Sequence, residues 1–363
     1  MSSEIGKKLK LSIFGESHGV GVGGVIDGFP AGFKIDEGRL AAFMKRRAPG
    51  RDRAATTRKE SDIPKILSGV KDGITCGTPI AALIENNNQH SQDYKDMSAV
   101  ARPGHADYTG YLRYHGFNDV RGGGHFSARL TAPLCFAGAL CMQYLNEKGI
   151  YVGAHLAAVA DVNDKLFDAV GVSKEELIST GEKSFPVLDD KIEEKMRAVI
   201  DAARVAGDSV GGVVEVAVVG IPAGIGSPIF STVEGRLSYG FYGIPAVTGV
   251  EFGAGFNSAK LRGSENNDAF YMDRDRVLTR TNNHGGILGG ISTGMPIIAR
   301  LAFKPTPSIS KEQESIDYRE KKDAKISIRG RHDPCVAVRA VPVVEAVMAI
   351  TLMDMMLEQG AFE

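Results

Sequence analysis

Groups able to move protons crowd the stretch from Arg102 to Arg129, which holds three histidines (His105, His115, His125), two aspartates and four arginines. Pro103 and Gly104 break regular structure just before His105, which predicts a turn presenting that imidazole. Gly122, Gly123 and Gly124 permit a close backbone approach or a sharp bend ahead of a long apolar helix. Loops that lead titratable groups into a helix N-terminus favour anions, because unpaired N–H groups and the helix dipole face the ligand. An active site is expected around this stretch. His18, in G-E-S-H-G, and Asp333, in R-H-D-P, occupy similar turn contexts. Histidine titrates near pH ~6.5, so His18 and His105 are candidates to give or take a proton. His90, His115 and His155 are read as structural.

Between positions 45 and 59, Lys45, Arg46, Arg47, Arg51, Arg53, Arg58 and Lys59 are opposed by Asp52. Pro49 and Gly50 make this a loop. About half of these cations read as solvated surface. The preference for arginine over lysine suits planar contact with carboxylate or phosphate, so a small polyanionic substrate is the sharper reading. Nucleic acid is the weaker one, since no aromatic side chains interleave. Metal-ligand spacings such as H-E-x-x-H are missing, and so is a G-x-S-x-G elbow. What remains is acid–base chemistry beside an arginine-rich anion pocket.

The elements that must position these groups follow from pattern. Lys10 to Phe14 and Val20 to Gly28 read as paired strands. Their G-x-G-x-x-G match (Gly19, Gly21, Gly24) opens no helix, so twisted-strand glycines are favoured over a dinucleotide turn. Asp36 caps a helix to Lys45 with Leu40, Phe43 and Met44 on one face. Ile63 to Val70 and Pro79 to Ile84 read as strands, and Asn86 to Met97 as exposed. Leu130 to Glu147 is an apolar helix with Pro133 in its first turn. Further strands are expected at Gly153 to Val162, Gly212 to Val219 and Pro296 to Phe303. Ser173 opens a short helix, and Asp189 to Ala206 forms an amphipathic one. Ile309 to Lys325, charged and without an apolar stripe, reads as a mobile loop or lid. Pro342 to Glu358 reads as an amphipathic closing helix. Grouped strands with helices between the groups favour α+β over a doubly wound sheet.

The chain has 363 residues and a net charge of −1, which gives no global pull toward nucleic acid or membrane. No linker or repeat divides it, so one domain over 1–363 is expected. Four scattered cysteines suit a reducing compartment. The first residues lack the apolar core of a signal peptide, and the Leu130 to Leu145 run is short for a bilayer, so a cytoplasmic location is expected.

F-G-E-S-H-G (Phe14 to Gly19), R-R-A-P-G (Arg46 to Gly50), R-P-G-H-A-D (Arg102 to Asp107), R-G-G-G (Arg121 to Gly124) and G-R-H-D-P-C (Gly330 to Cys335) together resemble the chorismate synthase family, in order along the chain. The resemblance implies an α+β fold with a helical core between antiparallel sheets. It implies 1,4-anti elimination of phosphate and a ring proton from 5-enolpyruvylshikimate 3-phosphate, giving chorismate for aromatic amino acid biosynthesis. It further implies a need for reduced FMN, a homotetramer and, in some relatives, NADPH-driven flavin reduction or a separate flavin reductase. Carried over by motif, His18 would protonate the departing phosphate, His105 would stabilise the reduced flavin, and Asp333 would assist removal of the ring proton. Arg47, Arg53 and Arg129 would anchor substrate, with Ser17 and Ser127 nearby. The flavin would contact His125, Phe126, Ser127, Pro245, Ala246, Gly289, Lys304, Pro305, Thr306, Pro307, Ser308 and Arg331. Many members read R-G-G-G-R-S-S-A-R-E-T where this chain has R-G-G-G-H-F-S-A-R-L-T. The alternative carried beside this is a pyridine-nucleotide-dependent flavin oxidoreductase, resting on Gly19, Gly21, Gly24 and the arginine loop.

Overall fold

Strands rich in glycine and β-branched residues cover both sides of a layer of almost wholly apolar helices. The computed structural model describes residues 3–50, 62–86, 99–328 and 332–362. β1 (Glu4–Ile5), β2 (Lys10–Gly15) and β3 (Gly21–Asp27) lead into α1 (Glu37–Arg47). Short strands β4 (Lys65–Ile66), β5 (Val70–Lys71) and β6 (Ile74–Thr75) precede β7 (Ile80–Glu85). Then come α2 (Asp107–Arg113), α3 (Thr131–Glu147), β8 (Tyr151–Val159), β9 (Val162–Asn163), α4 (Lys174–Glu182), α5 (Asp190–Val205) and β10 (Gly212–Val219). α6 (Val233–Tyr242), β11 (Val247–Phe252) and α7 (Gly263–Asn266) follow. Hairpins β12–β13 (Phe270–Asp273, Arg276–Thr279) and β14–β15 (Ile287–Leu288, Ile291–Ser292) lead to β16 (Ile297–Phe303). The hairpin β17–β18 (Gln313–Asp317, Lys322–Ile326) and α8 (Ala337–Glu358) end the chain.

One sheet has the order β1-β2-β3-β7-β4 and the other β11-β16-β10-β8-β9, with antiparallel neighbours throughout. α3 packs on β3 and α8 packs on β8 and β10, so the α3/α8 pair fills the space between the sheets. This is the α+β architecture expected. The strand glycines are where the helix comes closest: a Cβ on Gly24 would lie 3.3 Å from Pro133 Cβ in the first turn of α3. At the α3/α8 crossing, a Cβ on Gly138 would overlap Ala346.

The helix caps fall where the pattern put them. Asp36, Ser173 and Asp189 each accept a hydrogen bond from the first turn of α1, α4 and α5. The second sheet is covered on both faces. Val214 and Val216 point into the main core, while Ala217 joins a satellite cluster with Phe167 and Leu177. Glu215 lies opposite His155 on one side and Arg300 on the other, and Arg300 lies opposite Glu251. Burial opposes charge on His155, but hydrogen bonds to Asp164 and Glu215 outweigh it and hold its pKa above the ordinary value.

Four expectations change. α8 starts at Ala337, encloses Pro342, and is buried on every side from Ala337 to Met356 except at Arg339. It is no amphipathic helix, because the acids that gave it a polar look are buried and paired. Glu345 takes both terminal nitrogens of Arg46 at 2.7 and 2.8 Å. Asp354 accepts the backbone N–H groups of Lys7, Lys8 and Leu9 and the guanidinium of Arg236. α8 is long and apolar enough to cross a membrane, yet 94% of that window is buried inside the protein. The charged segment expected as a lid holds the β17–β18 hairpin, whose pairing is made by the backbone and needs no apolar stripe. Ile63 to Val70 is not one strand: β4 covers Lys65–Ile66, and Gly69, at φ +80°, turns the chain ahead of β5. Asn86 is half-buried and hydrogen-bonded; the rest of that segment, to Met97, lies outside the described residues.

Gly138→Ala is expected to destabilise the protein by about 1–3 kcal/mol through overpacking, read as a lowered thermal midpoint. An unchanged midpoint would mean that α8 can shift away from α3 freely.

Candidate active site

The Arg121 to Gly124 loop bends sharply, with Gly122, Gly123 and Gly124 at φ values of +60°, +93° and +53°. Three successive left-handed residues are open only to glycine at low cost. Their lack of side chains also makes room for two histidines. A Cβ on Gly122 would overlap the His18 ring, and one on Gly123 would lie 3.2 Å from His105 Nε2. Two imidazoles from distant parts of the chain are thereby brought against neighbouring residues of one loop.

Each imidazole has one nitrogen fixed. The Ser17 hydroxyl donates to the Arg121 carbonyl at 3.1 Å, so it accepts from His18 Nδ1 at 3.0 Å. His105 Nδ1 donates to Asp107 Oδ1 at 2.7 Å, which directs Nε2 toward Gly123. Asp107 is in turn gripped by Arg102, whose Nε and Nη2 each donate at 2.7 Å. Burial alone would raise the Asp107 pKa; the Arg102 and His105 hydrogen bonds override it and hold the carboxyl well below its usual range.

Both histidines line a cavity of about 530 Å³. Arg47, Arg102, Arg129, Arg339 and Lys304 supply its cations, and the edges Tyr242 to Val247 and Thr306 to Ser308 supply much of its wall. The approaches to the N-termini of two core helices open here, Ala128 and Arg129 before α3 and Val336 at the cap of α8. Their dipoles favour anions. Arg47 Nη1 donates to Asp62 Oδ2 at 2.5 Å, and Arg129 Nη1 pairs with the other Asp62 oxygen. Burial opposes the Asp62 charge, but the two guanidinium groups prevail and lower its pKa. Lys304 Nζ donates to the Gly104 carbonyl at 2.6 Å, tying the 304–308 edge to the His105 turn. Asp333 lines the same cavity, its carbonyl accepting from Thr306 Oγ1 at 2.7 Å and its carboxylate 3.3 Å from Arg339 Nε.

A cavity with a cationic wall, two proton-active imidazoles and a carboxylate suits a small polyanion undergoing proton transfer. The family model for chorismate synthase matches residues 9–357. A chorismate synthase from Pyrococcus abyssi is 48% identical over 360 residues, covering 99% of this chain and 98% of the relative. One from Archaeoglobus fulgidus is 47% identical over 356 residues, covering 98% and 97%. A crystal structure of chorismate synthase superposes with a TM-score of 0.76 at 29% identity, covering 98% of this chain and 93% of that one.

The chain belongs to the chorismate synthase family. Its members are carbon–oxygen lyases of the shikimate pathway, and the pocket can be compared with what the motifs implied. His18, His105, Asp333, Arg47, Arg129, Ser127, His125, Phe126, Pro245, Ala246, Lys304, Thr306, Pro307 and Ser308 all line the cavity. Ser17 lies behind His18, and Pro305 packs near the Gly211 backbone instead of lining the cavity. Gly289 is not brought to the cavity. It sits in the β14–β15 turn, where neighbouring Gly290 accepts from Val233 at the start of α6, whereas the cavity edge lies at the far end of that helix. Arg53 and Arg331 fall outside the described residues, as does His90.

His125 and Phe126 border the cavity with their side chains engaged elsewhere. His125 Nδ1 donates to the Gly15 carbonyl at 3.0 Å and Nε2 lies 2.9 Å from Ser3 Oγ, while Phe126 packs on Tyr114. Arg46, grouped by sequence with the anion-binding arginines, does not line the cavity; half-buried, it pairs with the buried Glu345 of α8. Sequence reasoning missed Arg102, Asp107 and Arg339 as cavity-building residues. An arginine and an aspartate flanking a Pro-Gly turn were the available signal for the first two. The G-x-G-x-x-G glycines lie in the β2–β3 turn and in β3 with no helix opening from them, which removes the fingerprint behind the oxidoreductase alternative.

Gly122→Ala is expected to push the His18 ring off its position and lower kcat by on the order of a hundredfold, with the protein still folded by circular dichroism. Full activity in that variant would separate the loop from the chemistry.

Proposed function

We propose that this cavity carries out the 1,4-anti elimination of phosphate from 5-enolpyruvylshikimate 3-phosphate with reduced FMN bound along the 245–247 and 304–308 edges. The observation that carries the reading is the convergence of His18, His105 and Asp333 on one cavity walled by Arg47, Arg102, Arg129 and Lys304. The donor set fits an anionic ring system: Lys304, Arg102 and the Ser308 hydroxyl gather beside the His105 turn. Bound there, reduced FMN would supply transient electron density for the elimination.

The chain's own residues do the rest. Arg47 and Arg129 hold the substrate's anionic groups. His18, protonated, gives its Nε2 proton to the phosphate oxygen as the carbon–oxygen bond breaks. His105, oriented by Asp107 and carrying a proton on each ring nitrogen, would hold the reduced flavin through Nε2, and Arg102 and Lys304 would add positive charge there. Asp333, held by its own backbone contact with Thr306, accepts the ring proton. The working unit in this reading is a single-domain subunit of a cytosolic homotetramer. Reducing equivalents come from NADPH or from a separate flavin reductase.

The test is an anaerobic assay with photoreduced FMN and the substrate, following chorismate by ultraviolet absorbance and phosphate in parallel. Equal release of both is expected, and none with oxidised FMN. Asp333→Asn is expected to lose at least about a hundredfold in kcat with little change in KM. Unchanged turnover would remove Asp333 from the proton path.

A further inference from the structure

Two connections run behind the cavity wall, and neither of the side chains that make them lines the cavity. Asn86 follows the last residue of β7, and its N–H donates to the Val20 carbonyl at 3.1 Å. Its side-chain Nδ2 donates to the carbonyls of Glu16 and Gly19, both at 2.9 Å, closing the turn that carries Ser17 and His18. Its Oδ1 accepts from Arg129 Nε at 2.8 Å. An amide offers donors and an acceptor on one rigid plane, and two carbonyls facing a guanidinium fix which way it points. One side chain thus joins the proton-donating turn to an anion-binding arginine. Beyond Arg129 the connection continues through Asp62, whose two oxygens hold Arg129 and Arg47. Thr131 Oγ1 takes Arg47 Nε at 3.0 Å, and the Ala128 carbonyl takes Arg47 Nη2 at 2.8 Å.

We infer that Asn86 and Asp62 are positioning residues that set the distance between the His18 acid and the Arg47–Arg129 anchor, so that the phosphate held by the arginines lies within reach of the proton. The inference rests on the roles proposed above for His18 and the arginines. The two residues act on different ends of one frame. Asn86 closes the acid's turn and touches one arginine; Asp62 orients both arginines and makes no hydrogen bond to the turn. Their loss therefore has opposite kinetic signatures, which a general loss of stability would not produce.

Asn86→Asp keeps an acceptor for Arg129 but faces two carbonyls with a carboxylate, so the turn is released while the anchor stays. A fall in kcat of about ten- to a hundredfold is expected, with KM within about threefold. Asn86→Ala loses both connections, and KM rises as well. Asp62→Asn is expected to raise KM by about tenfold or more, with a smaller effect on kcat, and Asp62→Glu to restore part of it. Wild-type kcat in Asn86→Asp would overturn the inference. So would parallel losses in kcat and KM in both variants that follow the melting temperature. If Asp62→Asn fails to fold, the contrast between Asn86→Asp and Asn86→Ala decides. His18→Ala is the control: retained turnover there contradicts the acid role itself, whereas lost turnover beside an active Asn86→Asp contradicts only the positioning frame.

Discussion

The structure has to hold several cations close together in a partly buried cavity without letting them drive the fold apart. Moving a charge out of water costs several kcal/mol per ion unless a partner compensates it. Among the described residues, the cavity's arginines are each backed by a carboxylate: Arg47 and Arg129 by Asp62, Arg102 by Asp107, and Arg339 by Asp333. With Lys304, five cations face three carboxylates, so the wall remains positive. The sharing of Asp62 by two arginines leaves their corner with a net positive charge, which suits a strongly charged anion.

That arrangement explains why the helical core is built as it is. α3 and α8 cross where Gly138 meets Ala346, and the approaches to both N-termini open on the cavity. Their dipoles add to the same positive field as the arginines. The pairs Arg46–Glu345 and Arg236–Asp354 fasten α8 to α1, to α6 and to the N-terminal strands. The core and the site are therefore one construction: a shift of α8 would move Val336, Arg339 and Asp333 together.

Much of this was legible in the sequence where the signal is local. Capping residues, the apolar run of α3, the paired glycine-rich strands and the turn settings of His18, His105 and Asp333 all depend on near neighbours. The failures share a cause. Glu345 and Asp354 suggested a solvated face on α8 because their partners, Arg46 and the Lys7 to Leu9 backbone, are hundreds of residues away. Arg46 and Arg47 are adjacent and chemically identical, yet one pairs with Glu345 of α8 and the other lines the cavity; only the helical rotation between them decides which. The β17–β18 hairpin was hidden because backbone pairing leaves no mark on an alternating charged sequence. Asp62 and Asn86 look like ordinary polar loop residues until the fold brings Arg129 between them.

On the function proposed above, the paired guanidinium groups read the substrate's anions by their geometry as well as their charge. Calorimetric titration of 5-enolpyruvylshikimate 3-phosphate into wild type and Arg129→Lys tests it most directly, since lysine keeps the charge beside Asp62 but loses the planar fork. The account predicts that Arg129→Lys binds at least about tenfold more weakly, roughly 1.4 kcal/mol, while melting close to wild type. Equal affinity in the two proteins would show that the corner attracts anions by charge alone and would contradict the account.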